Sequence, residues 1–189
     1  MRSNPPHAVS AHPRSKAPST PHGTAKGFYF RALLRELESQ GQHLPDRPQY
    51  REFHDYPLAD AHALLVECAQ RLYPSLRRHE AMRRLGWIMF PTFLSTMVGR
   101  VIFGALGNDL VAVLRAGARG FEVSTSEGRY EVIELGEHAA HVRVRDFPIH
   151  PESFLVGVFE GLLAHYGFDE GKVQAIGITP TDYDYYLSW

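Results

Sequence analysis

The chain has 189 residues, 44% of them hydrophobic and 22% charged, and a net charge of −1. Its 11 Phe, 9 Tyr and 2 Trp can bury a sizeable core, which excludes a wholly disordered chain, and the lack of a basic excess argues against a general nucleic-acid binder. A single cysteine, Cys68, excludes an internal disulfide framework and a cysteine-rich zinc site.

Residues 1–26 differ from the rest. They hold Arg2, Arg14, Lys16 and Lys26 and no acid, so this segment carries +4 and the remainder −5. Pro5, Pro6, Pro13, Pro18 and Pro21 punctuate it and no apolar run occurs, so it does not read as a secretory signal. It lacks the burial that would offset its ordering entropy, and a disordered basic tail is expected, followed by one domain over 27–189.

Phe28, Tyr29 and Phe30 lead into a predicted helix through Glu38, with Leu33, Leu34 and Leu37 on one stripe and Gly41 as its stop. The connection from Leu44 to Pro57 is long, but Tyr50, Phe53 and Tyr56 recur every three residues and should pack it down. Leu58 to Tyr73 reads as a helix starting at Pro57 or capped by Asp60, and another begins near Arg77. The mostly apolar stretch from Gly86 to Leu106 is the one membrane candidate. Pro91 and Arg100 interrupt it, and its uncharged part is short for a span, so it is read as a buried helix with a kink or break near Pro91. Asn108 or Asp109 should cap a helix from Leu110 to Ala118.

Strand alternation follows. Phe121 to Thr125, Arg129 to Leu135 and Ala140 to Asp146 read as three strands of an antiparallel meander. Pro151 opens a helix to Tyr166 whose Gly157 and Gly161 share a face suited to close packing. Gly167 ends it, and Lys172 to Ile178 and Asp182 to Trp189 are the last strands. The predicted fold is α+β: helices on an antiparallel sheet of about five strands, mostly in the C-terminal half.

No catalytic constellation is visible. There is no phosphate-binding glycine loop and no Gly-x-Ser-x-Gly elbow. Cys68 sits in an amphipathic helix and reads as a buried structural thiol. His138, His141 and His150 are the weak metal candidates, valid only if the fold converges them. Arg100 with Thr96 four residues before it could form a polar anchor in an apolar pocket; the alternative is an arginine at the edge of a core helix.

Arg84-Leu-Gly86, Phe93-Leu-Ser-Thr-Met-Val-Gly-Arg100 and Asn108-Asp109 resemble the helical middle of a myxobacterial paralogous family of unknown function. Tyr130 to Trp189, with Phe147-Pro-x-His-Pro, Gly157-x-x-x-Gly161 and the terminal Ser188-Trp189, resembles its carboxyl half. More distantly, the strands–helix–strands ending is similar to the 4-vinyl reductase domain, which belongs with transport-particle subunits to the NO-signalling/Golgi-transport ligand-binding superfamily. That resemblance implies an α+β fold with a hydrophobic cavity, often dimeric through its helices. The cysteines that vinyl reductase relatives carry near the carboxyl terminus are missing, as is the Tyr-x-Ser-x-Arg motif of the haem-binding relatives.

The reading that follows is a non-enzymatic sensory or adaptor domain, cytoplasmic, without a cofactor. It would bind a small apolar or amphipathic ligand and form a homo-oligomer or engage a protein partner. Trp87, Phe93 and Phe103 are the candidate ligand-binding residues, with Thr96 and Arg100 as polar anchor. A protein-interaction scaffold without a ligand, or an enzyme of unrecognised type, are the alternatives.

Overall fold

The computed structural model describes residues 22–45 and 47–189. In chain order it forms β1 (Thr24–Lys26), α1 (Gly27–Ser39), β2 (Asp55–Pro57), α2 (Leu58–Leu72), α3 (Arg78–Leu94), α4 (Met97–Phe103), α5 (Leu110–Ser124), β3 (Arg129–Gly136), β4 (Ala139–Arg145), α6 (Phe154–His165), β5 (Lys172–Thr179) and β6 (Asp182–Ser188). The fold is α+β, as the sequence predicts. Most strands lie in the C-terminal half as one antiparallel sheet in the order β3-β4-β6-β5, while β1 and β2 form a separate antiparallel ribbon.

Two hairpins therefore meet through β4 and β6, and no three-strand meander forms. The period of two places Ala140, Val142 and Val144 of β4 and Tyr185 and Leu187 of β6 on the buried face. The other face carries Arg143, Arg145 and Asp184, with Arg145 paired to Asp184. Between the hairpins runs α6, buried on nearly every side through Phe154, Leu155, Val156, Phe159, Leu162 and Leu163. A helix so apolar all round belongs in the interior.

The tightest helix contact is α3 on α6, and glycines make it possible. A Cβ at Gly157 would stand 1.8 Å from the Arg83 carbonyl oxygen, one at Gly161 2.0 Å from that of Trp87, and one at Gly86 2.1 Å from that of Phe154. The Trp87 carbonyl has no helical donor, because residue 91 is proline and has no N–H to give. Arg83 pairs with Glu160 beside this seam.

Several expectations change. Residues 24–26 do not belong to a tail: they pair with β2, while the expectation for residues 1–21 lies outside the described residues. Phe121 to Ser124 is not a strand but the last turn of α5; Phe121 is held there by Tyr130 and Phe147, and Thr125 makes only a single bridge to Ala25. The expected break near Pro91 falls about one turn beyond it, at Ser95–Thr96. Pro91 is accommodated near the end of α3, and α4 leaves at 80°. Asp109 does cap α5, its carboxylate accepting the Ala112 N–H at 2.9 Å. In the long connection Tyr50 stacks on Phe30 at 4.4 Å between centroids and meets Tyr56 edge-on, but Phe53 stays exposed. Among the described residues no single helix is long and apolar enough to cross a membrane.

Candidate functional site: an apolar cavity and a histidine pair

An apolar cavity of about 150 Å³ lies where the helical layer meets α6. From α1 come Tyr29 and Ala32, from α3 Met89, Phe90 and Phe93, from α5 Phe121, and from α6 Phe154, Leu155 and Val158. Ala25 and Leu58 contribute from β1 and the start of α2, and Phe147 and Ile149 from the connector between β4 and α6. The helical spacing of Met89, Phe90 and Phe93 puts all three on one side of α3.

Polar groups in this lining are few, and most are engaged. Ser124 Oγ donates to the Gly120 carbonyl within its own helix. Thr125 Oγ1 donates to the Glu127 carbonyl at 3.3 Å and accepts the Glu127 N–H at 3.1 Å. Tyr29 is different. Its ring lines the cavity, but its hydroxyl oxygen is closed off from solvent and from the cavity alike and makes no hydrogen bond. Burial, with a smaller contribution from the neighbouring Cys68, pushes its pKa well above the ordinary phenol value, so the group stays protonated.

A second cluster lies on the same connector. His62, one turn along α2 from Leu58, stacks on His150 with ring centroids 4.9 Å apart and Nε2 atoms 3.0 Å apart. Arg78 Nη2 lies 3.4 Å from His150 Nε2, and Glu152 Oε1 lies 3.2 Å from His150 Nδ1. His150 has φ +42°, a left-handed backbone unusual for a residue with a Cβ. Burial first, then His150 and Arg78, lower the His62 pKa, against an opposing pull from Glu152. For Glu152, burial pushes upward, but hydrogen bonds from His150, its own backbone and Ser153 leave the carboxyl low.

The predicted site residues do not assemble as expected. Phe93 lines the cavity. Phe103 is buried behind it, edge-on to Phe90 and Phe93, and Trp87 is half-buried beneath the Arg84 guanidinium at 4.7 Å. Thr96 and Arg100 form no anchor. Thr96 is the N-cap of α4, its Oγ1 accepting the Gly99 N–H at 3.0 Å and donating to the Phe93 carbonyl at 2.7 Å. Arg100 is exposed and donates to the Ser95 carbonyl at 2.7 Å. His138, His141 and His150 do not converge. His138 is exposed at the β3–β4 turn, His141 stacks on Tyr186, and His150 faces His62. Among the described residues no group of three or more His, Cys, Asp or Glu is placed to hold a metal. Sequence reasoning missed Tyr29 as anything but core, and missed His62 altogether. Nothing local marks either one. Cys68 is buried as expected, its thiol pushed up to about 12 by burial.

The fold is similar to that of H-NOX domains. The unliganded Fe(II) H-NOX protein from K. algicida superposes with a TM-score of 0.59 at 12% identity, covering 86% of this chain and 95% of that one. The Fe(II)NO form of an H-NOX protein from S. oneidensis gives 0.57 at 16%, covering 86% and 98%. A structure described for haem redox potential and porphyrin distortion gives 0.61 at 16%, covering 86% and 97%. At such identities the likeness is one of fold, and it does not single out the vinyl reductase domain or a myxobacterial origin.

Haem does not fit the residues present. The cavity is well below the roughly 300–1,000 Å³ of sites for larger ligands. No histidine or cysteine lines it, and α5 carries none. Tyr29 and Met89 are the lining residues of a type that binds haem iron, and the raised Tyr29 pKa opposes the phenolate form a ligand requires. No arginine or lysine lines the cavity to meet the carboxylates of a porphyrin. No curated protein matches the sequence. Residues 19–189 match the model of a family described as proteins of unknown function (DUF2378), and the chain belongs to that family.

Proposed function

We propose that the chain is a ligand-binding sensor domain that receives a small apolar molecule in the cavity between α1, α3, α5 and α6. The observation that carries this reading is the cavity itself, apolar and about 150 Å³, in a core whose main helix seam is otherwise packed backbone to backbone. Interiors normally leave few voids larger than a water molecule. An apolar occupant of matching shape gains the contacts that the unfilled space lacks. The H-NOX likeness supports the reading, since the S. oneidensis relative is described with a small molecule, NO, on its iron. Here the occupant sits against hydrocarbon, without a metal, and the walls are the elements that pack on the sheet. A change in occupancy can thus be passed to α6 and its neighbours.

Native mass spectrometry of protein purified from its own host, with a thermal-shift panel of small apolar compounds, tests this. A ligand at 100 times its Kd adds about 2.7 kcal/mol, or roughly 5–10 °C in Tm. Absence of both a bound species and any shift would overturn the reading.

A second reading, an interaction scaffold that also dimerises, is favoured by α4. Met97 and Val101, four apart on one face, are 50% and 79% exposed. Light scattering of the wild type and Val101→Asp checks it: a dimer that the substitution dissociates supports the scaffold, and a monomer in both removes it.

A further inference from the structure

We propose that the outer side of α1 carries a second binding site, for a small anionic amphiphile with a carboxylate or phosphate head and a short apolar chain. The site is separate from the apolar cavity and does not depend on it. Helical spacing sets it up: Tyr29 and Ala32 turn one side of α1 to the cavity, while Arg31, Leu34, Arg35 and Glu38 lie on the other. Gly41, at φ +70°, reverses the chain after α1, and the Gln42 N–H bonds back to the Leu37 carbonyl at 2.9 Å. Pro45 and Pro48 keep the returning segment out of regular structure until Tyr50 stacks on Phe30. Between this segment and α1 lies a groove of about 490 Å³, within the roughly 300–1,000 Å³ of small-molecule sites.

The lining matches both halves of an amphiphile. Leu34 and Leu44 are half-buried and Leu37 and Tyr50 buried, which gives the groove an apolar floor. Arg31 and Arg35 are exposed and four apart, neighbours on one helix face, so both can reach a single head group. Neither makes a hydrogen bond or ion pair among the described residues. Like charges at this spacing destabilise a helix unless something neutralises them. Other arginines are neutralised within the chain: Arg83 by Glu160, Arg129 by Asp146, Arg145 by Asp184, and Arg47, in this same groove, by Glu67. Glu38 is the one acid among the described lining residues, and it pairs with neither Arg31 nor Arg35. Guanidinium forks match the oxygens of a carboxylate or phosphate, and an apolar chain attached to that head covers the leucines.

Octanoate, octyl phosphate, octanol and inorganic phosphate are each titrated by NMR into the full-length wild type and into the double variant Arg31→Gln/Arg35→Gln, whose fold is checked by circular dichroism. In the wild type, octanoate or octyl phosphate should bind about two- to thirtyfold more tightly than octanol, the range of two exposed ion pairs. It should shift the amides of Arg31, Leu34, Arg35 and Leu44, and the tighter of the two identifies the head as carboxylate or phosphate. The double variant should lose the preference and bind octanol as the wild type does. No binding of either anion, octanol bound as tightly as both, a preference that survives in the double variant, or amide shifts confined to other elements would overturn the site. Inorganic phosphate bound as tightly as octyl phosphate would overturn the apolar half of the proposal. Each of these outcomes leaves the cavity reading standing.

Discussion

Substituting Gly157 by alanine attacks the seam that holds the cavity walls together. The new Cβ would stand 1.8 Å from the Arg83 carbonyl oxygen, 2.8 Å from its carbon and 2.9 Å from the Trp87 nitrogen. All three are backbone atoms of α3, so no side chain can rotate away. A comfortable C···O approach is about 3.3 Å, so the helices must part by roughly 1.5 Å. Forced overpacking of a core costs about 1–3 kcal/mol and occasionally more, and Gly→Ala within a helix returns only about 1 kcal/mol. Because Gly86 and Gly161 lock the same seam, relief at one point strains the others, which puts the cost at the top of that range, about 3 kcal/mol, and a net loss of about 2 kcal/mol is expected. For a chain of this size that lowers Tm by about 4–8 °C. Gly117→Ala is the matched control. It lies within α5, and its nearest neighbour would be Tyr130 Oη at 3.5 Å, an ordinary contact, so stability should hold or rise by up to about 1 kcal/mol. Thermal and urea unfolding by circular dichroism measure both. A Gly157→Ala protein as stable as wild type, or two variants that fall equally, would refute the claim that backbone contact between α3 and α6 organises the core. Parting the helices also separates Phe93 from Phe154, so binding of a small apolar ligand should weaken in parallel with stability.

The histidine pair makes stability depend on pH. His62 has a lower pKa folded than unfolded, so the unfolded chain takes up its proton first; the stabilisation is intact above about pH 6.5 and is lost as pH falls through the folded value. Urea midpoints at pH 7.5, 6.5 and 5.5 should fall in wild type and fall less in His62→Gln, whose amide can still donate to His150; an identical decline in both would remove His62 as the cause. Tyr185→Phe deletes the 2.6 Å bond from its buried hydroxyl to the Pro151 carbonyl and should cost about 1–3 kcal/mol, with the resonances of Phe147 and Ile149 shifting in NMR spectra. No loss would mean that the sheet does not anchor the connector. Asp109→Ala removes the cap of α5 and should cost about 1 kcal/mol in chemical denaturation, whereas Asn in its place should retain most of it.

Much of this molecule was legible where the information is local. Helix stripes, the alternation in β3 to β6, the Asp109 cap, the buried Cys68 and the paired glycines of α6 depend on residues within a turn or two of each other. So does the α+β class, which follows from the order of such segments. The errors arose where a distant partner decides between two local options. Phe121 to Ser124 has strand-like composition, but Phe121 gains more as the end of α5, wedged between Tyr130 and Phe147. Thr96 and Arg100 share a face only if one helix spans both, and the chain breaks at Thr96, whose hydroxyl is used to start α4. Pro91 could bend α3 or sit within it, and it sits within it because the carbonyl it leaves free faces Gly161 of another helix.

The candidate site belongs wholly to this second kind. The cavity takes its walls from β1, five helices and the connector before α6, and His62 meets His150 across 88 residues of sequence. Tyr29 reads in sequence as one more aromatic on a core helix. Only the packed structure shows that its ring walls a cavity while its hydroxyl is buried without a partner. Residue periodicity determines which face of each element is apolar. How well those faces fill the space between them is settled by the joint packing of all of them, and the unfilled remainder is where a ligand can bind.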